Sequence, residues 1–240
     1  MKFSYKYRIY DHDVDINGIA SVSALMRYIQ QTASQQHVAY GPKIEELRES
    51  GKGFILSRAA MDIEGILHPQ DEITVTTWLN NARGFGFTRY TEITKNDEII
   101  AKMSAFWGVI DLNSRRPIKV DEVPLGFGTD EDIIEVEAPT RFRPSKDTAF
   151  EELGSHRVTY SDCDENVHLN NTNYPSIFCS CLPTMKGKRV TRFSINYLHE
   201  ARLGASFKIF GGKENGAYLF KTELENGENG ADARIVTEDL

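Results

Sequence analysis

Residues 3–9 alternate, with Phe3, Tyr5, Tyr7 and Ile9 on one parity and polar side chains on the other, the period-two pattern of a half-buried strand. From Val22 the period lengthens. Val22, Leu25, Met26, Ile29 and Ala33 recur at three- and four-residue steps, which predicts an amphipathic helix capped by Ser21 or Ser23 and stopped at Gly41-Pro42. A second, short helix is expected from Lys43 to about Glu49. After Gly51-Lys52-Gly53 the chain becomes rich in β-branched and aromatic residues broken by turn chemistry. Strands are predicted at 54–63, 72–80, 85–95, 99–112 and 117–120. Residues 124–146 carry Pro124, Pro139 and Pro144, many acidic side chains and little periodicity, and predict a linker crossing the surface. The order then restarts: a short strand at 157–160, a polar turn, an apolar helical segment at 173–182, and strands at 189–197, 205–211, 217–224 and 231–237.

A helix followed by a meander of strands, twice over, predicts an α+β fold with antiparallel sheet. The two passes are a repeat. Laying Asp13 on Asp162 also lays Asp15 on Asp164 and Asn17 on Asn166, each time between a strand and a helix. In that frame Ile19 falls on His168. Laying Arg58 on Arg192, in the strand after each helix, puts Ile66 on Glu200. Features common to both copies serve the fold, whereas ionisable groups where the other copy has isoleucine need pairing or a use. His168 and Glu200 are the two such positions. The domains expected are 1–123 and 150–240, joined by a linker over 124–149.

Composition narrows the function classes. At 240 residues, 40 % apolar and 26 % charged, the chain has ample material for a core. A formal net charge of −7 argues against nucleic acid as partner. No apolar run is long enough to cross a bilayer and the first residues lack a signal-peptide core, so no membrane association and a cytoplasmic location are expected. Cys163, Cys179 and Cys181 are odd in number and match no structural-zinc spacing, so reduced thiols and no metal are expected.

The densest chemistry lies in Asp162-Cys163-Asp164-Glu165-Asn166-Val167-His168-Leu169-Asn170-Asn171. Such a composition also makes an ordinary exposed turn, because Asp and Asn hydrogen-bond their own backbone. The run Asp164-x-Asn166-x-His168-x-Asn170-Asn171, with Asn196-Tyr197 and Glu200 downstream, resembles the motif of the bacterial and plant fatty acyl-acyl-carrier-protein thioesterases. Trp78, Ser104-Ala105-Phe106-Trp107 and Arg115-Arg116-Pro117 resemble that family's landmarks in the first half. Plant members place a cysteine after the glutamate; here it is Ala201, so no thiol is required there.

The resemblance implies a tandem double hot-dog, two antiparallel sheets each wrapped around a central helix. It implies hydrolysis of acyl-acyl-carrier protein without a cofactor, by a network of Asp164, Asn166, His168 and Glu200, the glutamate acting as base or nucleophile. Asn170 and Asn171 serve either as helix caps or as neighbours of the oxyanion, held by backbone N–H groups at a helix N-terminus. A monomer or a homodimer fits two fused halves. Met26, Ile29, Phe54, Leu56, Met61, Trp78, Phe106 and Trp107 are candidates for an acyl tunnel or for plain core. Lys186, Lys188, Arg189 and Arg192, or Arg141, Arg143 and Lys146 in the linker, are candidates for docking an acidic carrier protein. A non-catalytic acyl-thioester-binding module and a hydroxyacyl dehydratase are the alternatives on the same fold.

Overall fold

A computed structural model describes residues 1–240. The first half runs β1 (Phe3–Arg8), α1 (Val22–Tyr40), α2 (Ile44–Glu49), β2 (Lys52–Ile63), β3 (Glu72–Arg83), β4 (Gly86–Lys95) and β5 (Glu98–Asp111). The second runs β6 (Glu151–Arg157), α3 (Tyr174–Ser180), β7 (Lys188–Tyr197), β8 (Ser206–Glu214), β9 (Ala217–Leu224) and β10 (Asn229–Asp239). Helix α1 starts where Ser21 accepts the Ala24 N–H at 3.2 Å and ends at Gly41, whose φ of 70° only glycine adopts readily.

The strands form one sheet of ten, in the order β1-β3-β4-β5-β2-β7-β10-β9-β8-β6, rather than the two separate sheets expected. The two halves join where β2 pairs antiparallel with β7, Ala60 opposite Ser194 and Met61 opposite Phe193. The order is palindromic about that pair, so a pseudo-twofold axis passes between Ala60 and Ser194, the residues that the repeat also superposes. Pairing removes two open edges, which would otherwise present unsatisfied N–H and C=O groups.

Two further expectations shift. Residues 117–120 make no strand; Pro117 forms an isolated bridge to Ile110 and a one-turn helix follows at Val120–Glu122. The strand expected at 157–160 lies earlier, at Glu151–Arg157, and residues Tyr160–Asp162 form a one-turn helix. Strand β6 is an exposed sheet edge reading Glu-Glu-Leu-Gly-Ser-His-Arg, so no apolar alternation marked it. Its Leu153 packs where Gly211 has no side chain; a Cβ there would sit 2.3 Å from Leu153 Cδ1.

Helices α1 and α3 lie together, Ser23 Oγ and Ser176 Oγ 2.7 Å apart. Leu25, Met26 and Ile29 of α1 and Phe178 of α3 share one core with Met61, Ile63 and Phe193. Phe178 stacks on Phe220 at 4.9 Å. The linker after Val123 crosses the opposite face of the sheet. Trp78 Nε1 donates to Asp132 O at 2.8 Å, the Asp62 carboxylate accepts the N–H groups of Glu137 and Ala138, and Glu214 accepts from Ser145 N–H and Thr148 Oγ1. Asp62 and Trp78 face away from the helices because they alternate with Met61, Ile63 and Thr77, which face them. No helix is long and apolar enough to cross a membrane.

Candidate active site

The polar turn is built twice on one plan. In the first half the Asp13 carboxylate accepts the Tyr10 N–H at 2.9 Å, and Asp15 Oδ1 accepts the Asn17 N–H at 2.8 Å. In the second, Asp162 accepts the Thr159 N–H at 2.8 Å, and Asp164 Oδ1 accepts the Asn166 N–H at 2.8 Å. Each turn closes with a φ near +60 to +70°: Gly18 at 71° and Val167 at 62°. Glycine takes this conformation freely, but a β-branched residue is strained there by ~1–3 kcal/mol. The strained residue directly precedes His168.

The turn is then lashed to the end of the following strand. Ala20 N–H donates to Leu67 O at 2.9 Å in the first half, and Leu169 N–H to Ala201 O at 2.8 Å in the second. These equivalent bonds set Ile19 beside Ile66 in one half and His168 beside Glu200 in the other. In the second half Leu203 N–H donates to Val167 O at 3.1 Å, and the Tyr197 hydroxyl donates to Asn171 O at 3.0 Å. Tyr197 packs edge-on against the buried Tyr174, which joins β7 to the segment that follows the turn.

Within this frame His168 Nε2 lies 3.4 Å from Glu200 Oε2, an ion-pair distance. His168 is largely covered, its side chain 17 % exposed, whereas Glu200 is 37 % exposed and open to an incoming group. Asn166 is exposed; its Nδ2 sits 3.4 Å from Asp164 Oδ2. The structure thus brings His168 to Glu200 and Asp164 to Asn166, and joins the two pairs through the Asp164 N–H, which donates to His168 O at 3.0 Å. It commits Asn170 to the backbone: its N–H donates to Asp162 O at 2.8 Å and its side-chain oxygen accepts from Thr172 N–H at 3.0 Å and Thr172 Oγ1 at 2.9 Å. Asn171 opens a one-turn helix, Asn171–Asn173, that leads into the seven residues of α3.

Two first-half arginines reach these residues; Arg115 is marked in the sequence only as a landmark, and Arg48 is not singled out. Arg115 Nη1 lies 3.4 Å from Glu200 Oε1, on the oxygen that does not face His168. Arg48 Nη2, on α2, donates to Glu165 Oε1 at 2.5 Å and to Asn166 Oδ1 at 3.1 Å. That bond to Arg48 holds the Glu165 carboxyl below its ordinary range and raises the Arg48 guanidinium. Arg115 belongs to the Arg115-Arg116-Pro117 landmark, which was a usable clue; nothing in the sequence around Arg48 marks it.

The first copy of Asn shows what the second is free to do. Asn17 Nδ2 donates to Met185 O at 2.8 Å and Lys188 O at 2.9 Å, and its Oδ1 accepts the Gly187 N–H at 2.8 Å. It is saturated by the loop before β7. Asn166 makes no such backbone bonds. Asn17→Ala is expected to cost about 1–3 kcal/mol of stability by orphaning these groups with turnover unchanged, whereas Asn166→Ala is expected to lower kcat at an unchanged melting temperature. Thermal melts and steady-state kinetics on both variants check the contrast; equal losses of turnover would defeat it.

The cysteines are not activated. Burial pushes the Cys179 thiol up to about 12 and raises Cys163 and Cys181 as well, so none is a ready thiolate at neutral pH. Of the docking candidates, Lys188 pairs with Asp239, Arg189 with Glu238, and Arg192 with Glu137 and Asp62, so their charge is already matched. Of the tunnel candidates, Trp78, Met61, Met26, Ile29 and Leu56 are buried, whereas Phe54, Phe106 and Trp107 are half-buried. None of the eight lines a cavity of about 410 Å³ elsewhere in the molecule.

The acyl-ACP thioesterase N-terminal domain family matches residues 1–124, and the acyl-ACP thioesterase C-terminal domain family matches residues 145–238. The chain is 20 % identical over 213 residues to the chloroplastic palmitoyl-acyl carrier protein thioesterase of Gossypium hirsutum, covering 82 % of this chain and 52 % of that one. It thus spans about half the length of that curated relative. Among solved structures, an acyl-ACP thioesterase from Bacteroides thetaiotaomicron superposes with a TM-score of 0.86 at 21 % identity, over 99 % of this chain and 98 % of that one. The 12:0-ACP thioesterase from Umbellularia californica superposes with a TM-score of 0.84 at 17 % identity, over 100 % and 98 %.

Proposed function

This chain belongs to the acyl-ACP thioesterase family, and we propose that it hydrolyses the thioester of acyl-acyl-carrier protein, releasing a free fatty acid and so ending chain elongation. The observation that carries this reading is the asymmetry of a symmetric frame: His168 faces Glu200 where the other half has Ile19 and Ile66. We take residues 1–123 and 150–240 as two hot-dog units, each built round its helix, with 124–149 as the strap between them.

Water attacks the thioester carbonyl carbon while Glu200 accepts its proton, and the carbonyl becomes a tetrahedral oxyanion. His168 orients Glu200 and stabilises the charge that shifts during transfer. Asp164 holds the Asn166 backbone, and the Asn166 side chain positions the water or the carbonyl. The N–H of Asn171, the first of its one-turn helix, is the donor available to the oxyanion, since the Asn170 N–H is used by Asp162. Collapse expels the pantetheine thiolate, which regains a proton; thiolate is a good leaving group, so this half of the reaction is the less demanding. Arg115, with Nη1 3.4 Å from Glu200 Oε1, helps hold that carboxylate in place. A direct attack by Glu200, through an anhydride that water then opens, uses the same geometry.

We take the acidic carrier protein to dock on exposed cations without an ion-pair partner, Arg141, Arg143 and Lys146 of the linker or Lys186 before β7, because Lys188, Arg189 and Arg192 are already paired. The deciding experiment incubates the protein with acyl-acyl-carrier proteins of several chain lengths and measures thiol and free fatty acid together. Stoichiometric release of both is expected. Binding without thiol release would replace hydrolysis by a carrier role, and loss of water from a 3-hydroxyacyl substrate would replace it by dehydration.

A further inference from the structure

A cavity of about 410 Å³ lies away from the catalytic turn, within the size range of small-molecule sites. Its walls include Ile19, Ile66, Leu67, Leu25, Leu182 and Met185. By the pseudo-twofold axis this is the first-half counterpart of the His168–Glu200 site, because the Ala20–Leu67 bond that fixes it is the counterpart of Leu169–Ala201. It is not the same space. Val190, at the start of β7, lines the cavity, while Tyr197, at the other end of β7, anchors the catalytic turn. Seven residues of strand separate them by about 23 Å, at ~3.3 Å per residue. Packed core fills the interval, including Phe193 and Ile195, each at most 1 % exposed.

The asymmetry of the helices keeps the cavity open. Helix α1 runs 19 residues, but α3 stops after seven, and the loop that follows contributes Leu182 and Met185 as walls, clamped by Asn17. The charged lining residues of the cavity are Asp15 and Arg189, with Ser21 and Ser23 beside them in the wall. The Arg189 guanidinium is paired with Glu238, whereas Asp15 has no ion-pair partner, which leaves the carboxylate as the unmatched charge. A carboxylate head group is opposed there, whereas a neutral head on an apolar chain is accommodated.

We propose that this cavity is a second, non-catalytic acyl site, which holds the apolar chain of an uncharged acyl thioester without cleaving it. The choice of an acyl chain as ligand rests on the proposed function; the second site itself does not. Ile19 and Ile66 supply chain contacts where the other half supplies His168 and Glu200, so the paired base of the catalytic site has no counterpart here, and Asp15 Oδ1 is held by the Asn17 N–H at 2.8 Å.

The test uses S-hexadecylpantetheine, a thioether that no hydrolase can cleave, titrated calorimetrically into the native protein beside sodium palmitate. Two thioether sites per chain are expected, with palmitate filling the cavity at least tenfold more weakly. Ile66→Arg, at the rim, and Ser180→Trp, on the exposed wall, should each reduce the stoichiometry to one while kcat and KM for acyl-carrier substrate stay within twofold. A stoichiometry of one or none in the native protein would overturn the proposal. So would a rise in KM for long but not short acyl substrates in both variants, since the cavity would then be the tunnel of the catalytic site. Palmitate binding as tight as the thioether would overturn the neutral-ligand assignment. Failure of the hydrolysis assay leaves this titration readable, so the two readings fail separately.

Discussion

Glu200→Gln is expected to lower kcat ~10²-fold or more, the usual scale for a general acid–base group, with the melting temperature within about 1 °C of the native protein. The variant keeps the size and hydrogen-bonding capacity of the side chain and removes its charge and basicity. The carboxylate stands with one oxygen 3.4 Å from His168 Nε2 and the other 3.4 Å from Arg115 Nη1, at 37 % exposure. Two features follow from that placement. The group is reachable by substrate, and little packing is lost when it changes. His168→Ala is expected to give a fall of the same order, and the double variant little more than either single one, because the two act as a unit. Arg115 touches the same carboxylate from outside the second half, so its removal should lower kcat by loosening the position of that carboxylate. Near-normal turnover of purified Glu200→Gln would sink the assignment of the base.

Acid is expected to destabilise the protein through His37 by about 3 kcal/mol, from roughly 1.4 kcal/mol per pKa unit. The ring is buried, its Nδ1 3.1 Å from Pro42 O, between Phe54 and Phe127. Burial first, then the Arg89 guanidinium, lowers its pKa from 6.5 to about 4. Above pH 6.5 the ring is neutral folded and unfolded, and contributes no pH dependence. Between 6.5 and 4 the unfolded chain takes up a proton that the folded chain refuses, so stability falls as pH falls, and below 4 this contribution is fully lost. Carboxylates with lowered pKa, such as Asp162 and Glu165, act in the same direction at lower pH. The comparison is therefore with His37→Phe, which fits beside the two phenylalanines. Urea unfolding from pH 4 to 7 should show a slope that is shallower in the variant; parallel curves for the two proteins would defeat the prediction.

Much of the architecture was legible because it depends on local pattern. The helix stripe from Val22, its stop at Gly41-Pro42, and most strands follow from periods of 3.6 and 2 that burial imposes on one face. Strand β6 escaped because, as an edge strand exposed along nearly its whole length, it has no buried face to write into the sequence. The segment at 117–120 read as strand from its apolar residues, but Arg116 O and Ile118 N–H bond back to β5 only as an isolated bridge. Union into one sheet was invisible for a different reason. Whether β2 and β7 meet depends on the shape match of two edges, which no single strand records.

The site divides along the same line. Sequence by itself determined the repeat, and with it the positions where the halves part: His168 against Ile19, Glu200 against Ile66. It did so because a duplicated frame acts as its own control: His168 replaces the buried Ile19, where an ionisable group carries a desolvation cost, and Glu200 replaces the more open Ile66. Only the tertiary structure decided which groups finish the site. Arg48 and Arg115 reach the second half's turn from α2 and from the end of β5, brought there by the β2–β7 pairing. It also separated the two asparagines, since Asn17 spends every hydrogen bond on a loop that its twin Asn166 never meets. A sequence lists which side chains are present; distances between segments far apart in the chain exist only once the sheet has closed across its centre.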